Sequence, residues 1–117
     1  MIENSYFAKN KKGKQALVFS FQYPVTSAVE LAARAGFDAI HLDGEHGAFN
    51  PVAVDDIVAI AHAHGMSVTA RVPNINANEI NRWLDRGLQG IMGPHIENGA
   101  EAQALADACL FPPDGQR

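Results

Sequence analysis

Within four positions the chain places Asp43, Glu45 and His46, in the run DGEHG at 43–47, and a single arginine, Arg71, closes another short apolar run. The imidazole of His46 is a side chain that can carry a proton in either direction. A carboxylate such as Asp43 can fix the tautomer of that ring and raise its basicity. Arg71 offers a planar fork suited to a carboxylate or to a developing enolate oxygen. Together these groups point to proton transfer beside a small anionic carbonyl compound. Gly44 and Gly47 give the turn backbone freedom. By spacing alone, a polar turn built from Asp43, Glu45 and His46 explains the cluster equally well.

Chemistry of this kind needs elements that bring the two runs together. Residues 16–22 (ALVFSFQ), 37–43 (FDAIHLD), 66–72 (MSVTARV) and 90–96 (GIMGPHI) are short, apolar and bounded by turn residues, as buried strands are. Between them lie helical patterns. Thr26 or Ser27 is expected to cap the first, with Gly36 as its stop. Asn50-Pro51 opens a second that runs to about residue 64, ended by Gly65. A third covers 76–86 before Gly87, and a fourth runs from Gly99 to about Leu110. Strands separated by helices are expected to be parallel. In the second strand Ala39, His41 and Asp43 share one face; in the third Ser67, Thr69 and Arg71 do. Asp43 and Arg71 thus stand at carboxyl ends, where parallel α/β proteins collect their functional groups. The expected fold class is α/β: four consecutive β-α units, about half of the ~250 residues of an eight-fold barrel. All 117 residues are read as one portion of a single domain.

Composition narrows the classes further. The net charge of -4 supplies no cationic field for a nucleic acid. Lys11, Lys12 and Lys14 read as a solvated turn. No run is long and apolar enough for a membrane span, and MIENSYFAKNKKGK lacks a signal-peptide core. Met1 reads as a natural start, and the chain ends mid-loop at FPPDGQR. One cysteine, Cys109, excludes an intrachain disulfide and fits a reducing, cytoplasmic setting; on an apolar helical stretch it reads as a buried, inert thiol. No G-x-G-x-x-G or Walker loop follows the first strand. His62 and His64 read as solvated, and His41 as a hydrogen-bonded core histidine. For His95 a site-lining role is the minor alternative to a bland one. Trp83 reads as packing on the sheet, and Glu79, Arg82, Asp85 and Arg86 as a solvated helix face.

The run ELAARAGFDAIHLDGEHG at 30–47 resembles the signature of the HpcH/HpaI aldolases, metal-dependent (class II) pyruvate aldolases of the phosphoenolpyruvate/pyruvate barrel superfamily. Three further stretches agree in order: ARVP at 70–73, GIMGP at 90–94 followed by ENGAEA at 97–102, and FPPDGQR at 111–117. The resemblance covers about residues 13–117. It implies a TIM barrel and reversible retro-aldol cleavage of a 4-hydroxy-2-oxo acid to pyruvate and an aldehyde. His46 matches the catalytic base, Asp43 its carboxylate partner, Arg71 the arginine that holds pyruvate and stabilises the enolate, and Glu45 a residue near metal-bound water. The divalent ion (Mg2+, Mn2+ or Co2+) is implied to bind a Glu and an Asp on later strands, after Arg117, so no metal ligand is assigned here. By this reading the isolated chain is an inactive part of a longer, oligomeric enzyme. Two positions depart from the pattern: FSFQ at 19–22 replaces the usual first strand, and His95 follows Pro94 where an apolar residue is commoner. The competing reading is a non-catalytic half-barrel that self-associates or binds a small carboxylate.

Overall fold

The computed structural model describes residues 3–117; Met1, read above as a start, and Ile2 lie outside it. Its elements follow the order α1 (Ser5–Lys11), β1 (Val18–Phe21), α2 (Thr26–Arg34), β2 (Ala39–Asp43), α3 (Pro51–Ala63), β3 (Ser67–Arg71), α4 (Ala77–Leu84), β4 (Gly90–Met92) and α5 (Gly99–Cys109). The four strands form one parallel sheet in the order β1-β2-β3-β4. Spatial order equal to chain order has no reversal point, unlike a doubly wound sheet. All carboxyl ends therefore lie along one continuous rim, as in a barrel wall.

Register sorts the strand residues into layers. On one face Phe19, Ile40 and Val68 align, as do Phe21, Leu42, Ala70 and Ile91. These join Val29, Ala32, Val54, Ile57, Val58, Ala61 and Ile80 from the helices in one hydrophobic cluster. Burying each such large side chain contributes about 1.5–3 kcal/mol. The other face carries Ser20, His41, Thr69 and Gly90 at one level and Asp43, Arg71 and Met92 at the next. His41 Nδ1 lies 2.8 Å from Thr69 Oγ1. It is the hydrogen-bonded interior histidine that the sequence suggests.

Helix ends largely follow their sequence signals. Asn50, Asn76 and Asn98 each accept a backbone N–H at a helix start, and Gly36, Gly65 and Gly87 leave helices with positive φ. The cap of α2 differs. Val25 holds the N-cap without a side-chain bond, and Thr26 is already helical, because the tight Tyr23-Pro24-Val25 turn delivers the chain one residue early. The fourth strand stops at Met92 instead of 96, since Pro94 has no N–H to continue the ladder.

The N-terminal helix α1 is a correction. Lys11 is its last residue, Lys12 its C-cap, and only Lys14 lies beyond the turn at Gly13. This helix buries no residue of its own, so no apolar period marks it in the sequence. Long-range bonds hold it instead: Ser5 N–H donates to Ser67 Oγ (2.8 Å) and Ser67 N–H to Ser5 Oγ (3.1 Å). His62 is a second correction. It is half-buried, and its Nε2 is enclosed without a hydrogen-bond partner; burial pushes the imidazole pKa down. His64 is exposed, as expected, and Cys109 is a half-buried thiol whose pKa burial raises. No helix among the described residues is long and apolar enough to cross a membrane.

Candidate active site

The ends of β2 and β3 meet at the Asp43–Arg71 register pair. The turn after β2 folds back at once: Gly44 N–H donates to Arg71 O, and Gly47 N–H to Asp43 O, each at 2.8 Å. Neither glycine has positive φ, so backbone freedom is not why they are needed. Close approach is. A Cβ at Gly44 would lie 2.7 Å from both Arg71 O and the Trp83 ring, and one at Gly47 would strike Asp43 O. Trp83, anchored by its Nε1–H to Glu79 Oε1 (2.9 Å), thus packs under the polar turn as well as on the sheet.

Arg71 organises the rim. Its Nε–H and NH2 donate to the two oxygens of Asp43, at 3.1 and 2.7 Å. NH2 also lies 2.9 Å from His46 Nδ1, and NH1 pairs with Glu45 Oε2 at 3.0 Å. That last contact lacks hydrogen-bond geometry, and Glu45 Oε2 is buried without a hydrogen-bond partner. Asp43 further accepts the His46 backbone N–H and the Gln22 side-chain amide, both at 3.1 Å. The Arg71 hydrogen bonds drive the Asp43 carboxyl well below the usual carboxylate range; burial opposes them, while the His46 and Gln22 donors assist. Asp43 in turn raises the Arg71 pKa by its hydrogen bonds, against desolvation.

All four residues singled out in the sequence are therefore adjacent. One pairing differs from expectation: the Asp43 carboxylate is 3.7 Å from His46 Nδ1, beyond hydrogen-bond reach. Arg71 occupies both acceptors and stands between them. Since guanidinium only donates, Nδ1 must accept, and a neutral His46 carries its hydrogen on Nε2. Arg71, not Asp43, sets the tautomer here.

Two participants were not assigned from sequence. Gln22, at the exit of β1, could have been found by noting that it continues the Asp43–Arg71 layer. His95, after β4, places Nε2 2.6 Å from Glu45 Oε1 across 50 residues of sequence; only its place near a strand exit hinted at this.

Asp43, Glu45 and His46 also bring potential metal-ligand atoms within 4.8 Å of one another. The donor set does not fit a divalent ion as it stands. Both Asp43 oxygens, one Glu45 oxygen and His46 Nδ1 already face the Arg71 cation, which occupies the place and supplies the charge a metal would bring.

Comparison with known proteins identifies the family of the chain. The family model described as HpcH/HpaI aldolase/citrate lyase matches residues 19–117. A 4-hydroxy-4-methyl-2-oxoglutarate aldolase of Hapsidospora irregularis is 37% identical over 90 residues, covering 76% of this chain and 33% of that protein. A 4-hydroxy-2-oxovalerate aldolase of Novosphingobium aromaticivorans is 32% identical over 115 residues, covering 97% and 44%. The crystal structure of an HpcH/HpaI aldolase from Desulfitobacterium hafniense DCB-2 superimposes with a TM-score of 0.89 at 26% identity, over 98% of this chain and 45% of that one. The chain thus spans between a third and a half of the length of these relatives. With a family match over residues 19–117 and a parallel sheet that superimposes on a solved member, this chain belongs to the HpcH/HpaI aldolase/citrate lyase family.

Proposed function

We propose that the chain supplies the imidazole and guanidinium side of a pyruvate aldolase active site, within a protein longer than these 117 residues. The reaction is reversible cleavage of a 4-hydroxy-2-oxo acid to pyruvate and an aldehyde. The observation that carries this reading is Arg71 NH2 lying 2.7 Å from Asp43 and 2.9 Å from His46 at a single strand-exit rim. The activities for which the two relatives above are named support the substrate class.

The residues perform the aldol direction as follows. The carboxylate of a 2-oxo acid is a stronger acceptor for guanidinium than a neutral imidazole. As Arg71 NH2 turns to it, the lone pair on His46 Nδ1 is released. His46 then takes a proton from the pyruvate methyl carbon, and the electrons of that C–H bond pass into an enolate whose oxygen Arg71 stabilises. The enolate carbon attacks the aldehyde carbonyl, and the resulting alkoxide takes the proton that His46 removed, which returns the ring to its neutral form; reversal breaks the same carbon–carbon bond. Asp43 keeps hold of Arg71 Nε throughout and so retains the register of the guanidinium. Glu45 borders the rim, where water would gather. A bound divalent ion, Mg2+, Mn2+ or Co2+, would polarise the keto oxygen as a Lewis acid, and we assign its ligands, following the family resemblance, to residues after Arg117. The cytoplasm is the setting that a single, half-buried cysteine suits.

In a form long enough to include the metal ligands, His46→Ala should slow exchange of pyruvate methyl protons with solvent by about 10²–10⁴-fold. Unchanged exchange removes His46 from its role as base. A second reading, self-association of two copies, is favoured by the exposed Val18 and Met92 on the two edge strands and a cavity of about 470 Å³ beside them. Sizing the purified 117-residue chain decides it, since a stable monomer excludes the pairing.

A further inference from the structure

We infer that His95 is a positioning residue of the rim, acting on Arg71 through Glu45. The inference rests on the aldolase reading for its purpose, though not for its geometry. In the sheet order β2 and β4 are separated by β3, yet the loops that leave them meet. His95 Nε2 lies 2.6 Å from Glu45 Oε1, so the contact passes over the exit of β3, where Arg71 stands. Glu45 thereby becomes a hub. One oxygen takes His95, and the other faces Arg71 NH1 at 3.0 Å.

The backbone gives a second, independent observation. His95 is the one non-glycine residue among the described residues with positive φ, at 49°. A left-handed conformation is strained for a residue with a Cβ, and such conformations concentrate where a site over-determines the geometry. The ring itself is 78% exposed, so packing does not aim it. The turned backbone and the bond to Glu45 do. The ring needs no particular charge for this. An ionised carboxylate only accepts, and Nε2 carries a hydrogen in one neutral tautomer and in the imidazolium alike.

Without His95, Glu45 Oε1 loses this 2.6 Å partner and the carboxylate is free to rotate. Arg71 NH1 then loses the contact that keeps its outer edge in place, while Nε and NH2 remain on Asp43. The consequence falls on how the fork is presented to the carboxylate of a 2-oxo acid, because a two-point acceptor needs both nitrogens in plane.

The test compares His95→Gly with His95→Gln in the purified 117-residue chain. Glycine adopts a φ of 49° without strain, so His95→Gly removes the hydrogen bond and leaves the fold intact. Glutamine restores an N–H donor of similar reach. Two readouts are taken by NMR: hydrogen exchange of the Arg71 NH1 hydrogens, which face Glu45, and the shift of Arg71 signals on adding pyruvate. In His95→Gly the exchange should quicken about fivefold, the factor that one ion-pair contact of ordinary net strength allows, and pyruvate should bind more weakly by a similar factor. His95→Gln should recover most of both. Equal Arg71 exchange in wild type and His95→Gly overturns the inference, as does failure of His95→Gln to recover it. If exchange responds as expected while pyruvate moves no Arg71 signal in the wild type, the positioning role stands and the aldolase reading loses its support. If wild type and His95→Gly bind pyruvate equally with unchanged exchange, the reverse holds.

Discussion

Where the four strands begin, Asp38 accepts Lys9 Nζ at 2.7 Å and Leu17 N–H at 2.8 Å, Ser67 interlocks with Ser5, and the Asn4 amide reaches Gln89 O. Where the strands finish, Asp43, Glu45, His46, Arg71 and His95 form another polar cluster of about the same size. Both ends have a lowered carboxyl pKa. At Asp38 burial works upward, and the Lys9 and Leu17 bonds with the Lys9 charge overcome it; at Asp43 the Arg71 bonds dominate from the start. The difference lies in what the partners are. At the beginning end, backbone groups and a helix consume the donors, and Ser67 is fully buried. At the finishing end the framework is an ion pair, and two imidazoles stand 60% and 78% exposed on it. A polar cluster closed by main chain holds a fold together. One that leaves two rings facing solvent keeps them open to a ligand, as the proposed function requires.

The largest effect that would sharpen this contrast is expected at Arg71. In a form containing the metal ligands, Arg71→Ala should lower pyruvate proton exchange by about 10²–10³-fold, as removal of a charge-stabilising donor does. It should also destabilise the chain, because Asp43 is left buried without its cation. Retained exchange in a folded Arg71→Ala protein, read by NMR, breaks the functional half of the comparison. The opposite end should behave oppositely. Ser67→Ala strands the Ser5 N–H and should cost about 1–3 kcal/mol by urea unfolding, with pyruvate exchange unchanged. An Ser67→Ala protein of full stability would mean that α1 is not fastened by these bonds.

The sequence makes this contrast legible at one end only. Strand-and-helix alternation is local, and apolar runs with Asn and Gly at helix ends mark it plainly, so the parallel half-wall and the rim position of Asp43, His46 and Arg71 can be read from spacing. The beginning end was opaque because α1 is only 7 residues long and buries nothing; its stability is long-range, through serines that look like any surface serines. At the rim, residue types were readable and pairings were not. Asp43-x-x-His46 suggests a side-chain dyad, but an arginine 25 residues beyond His46 has more donors and a full charge, and it takes both acceptors. His95–Glu45 spans 50 residues and depends on a left-handed backbone at His95, where no glycine stands to announce it.

The smallest effect separates the interior from the rim by pH. His41 lies one layer below Asp43, and its pKa is held under the ordinary 6.5, chiefly by burial; the Asp43 charge works upward and the Arg71 charge downward. Burial lowers His62 in the same sense. For both rings the folded chain binds fewer protons than the unfolded one between the two pKa values. Stability therefore rises with pH through that window, is complete above about 6.5, and is lost as pH falls toward the folded value. The urea midpoint should drop between about pH 7 and about pH 5, and His41→Gln should remove part of that slope while leaving the His62 share. A midpoint flat across this range would mean that the histidine of the interior layer is as freely hydrated as those on the rim. The contrast between a closed interior and an open rim would then have lost its physical basis.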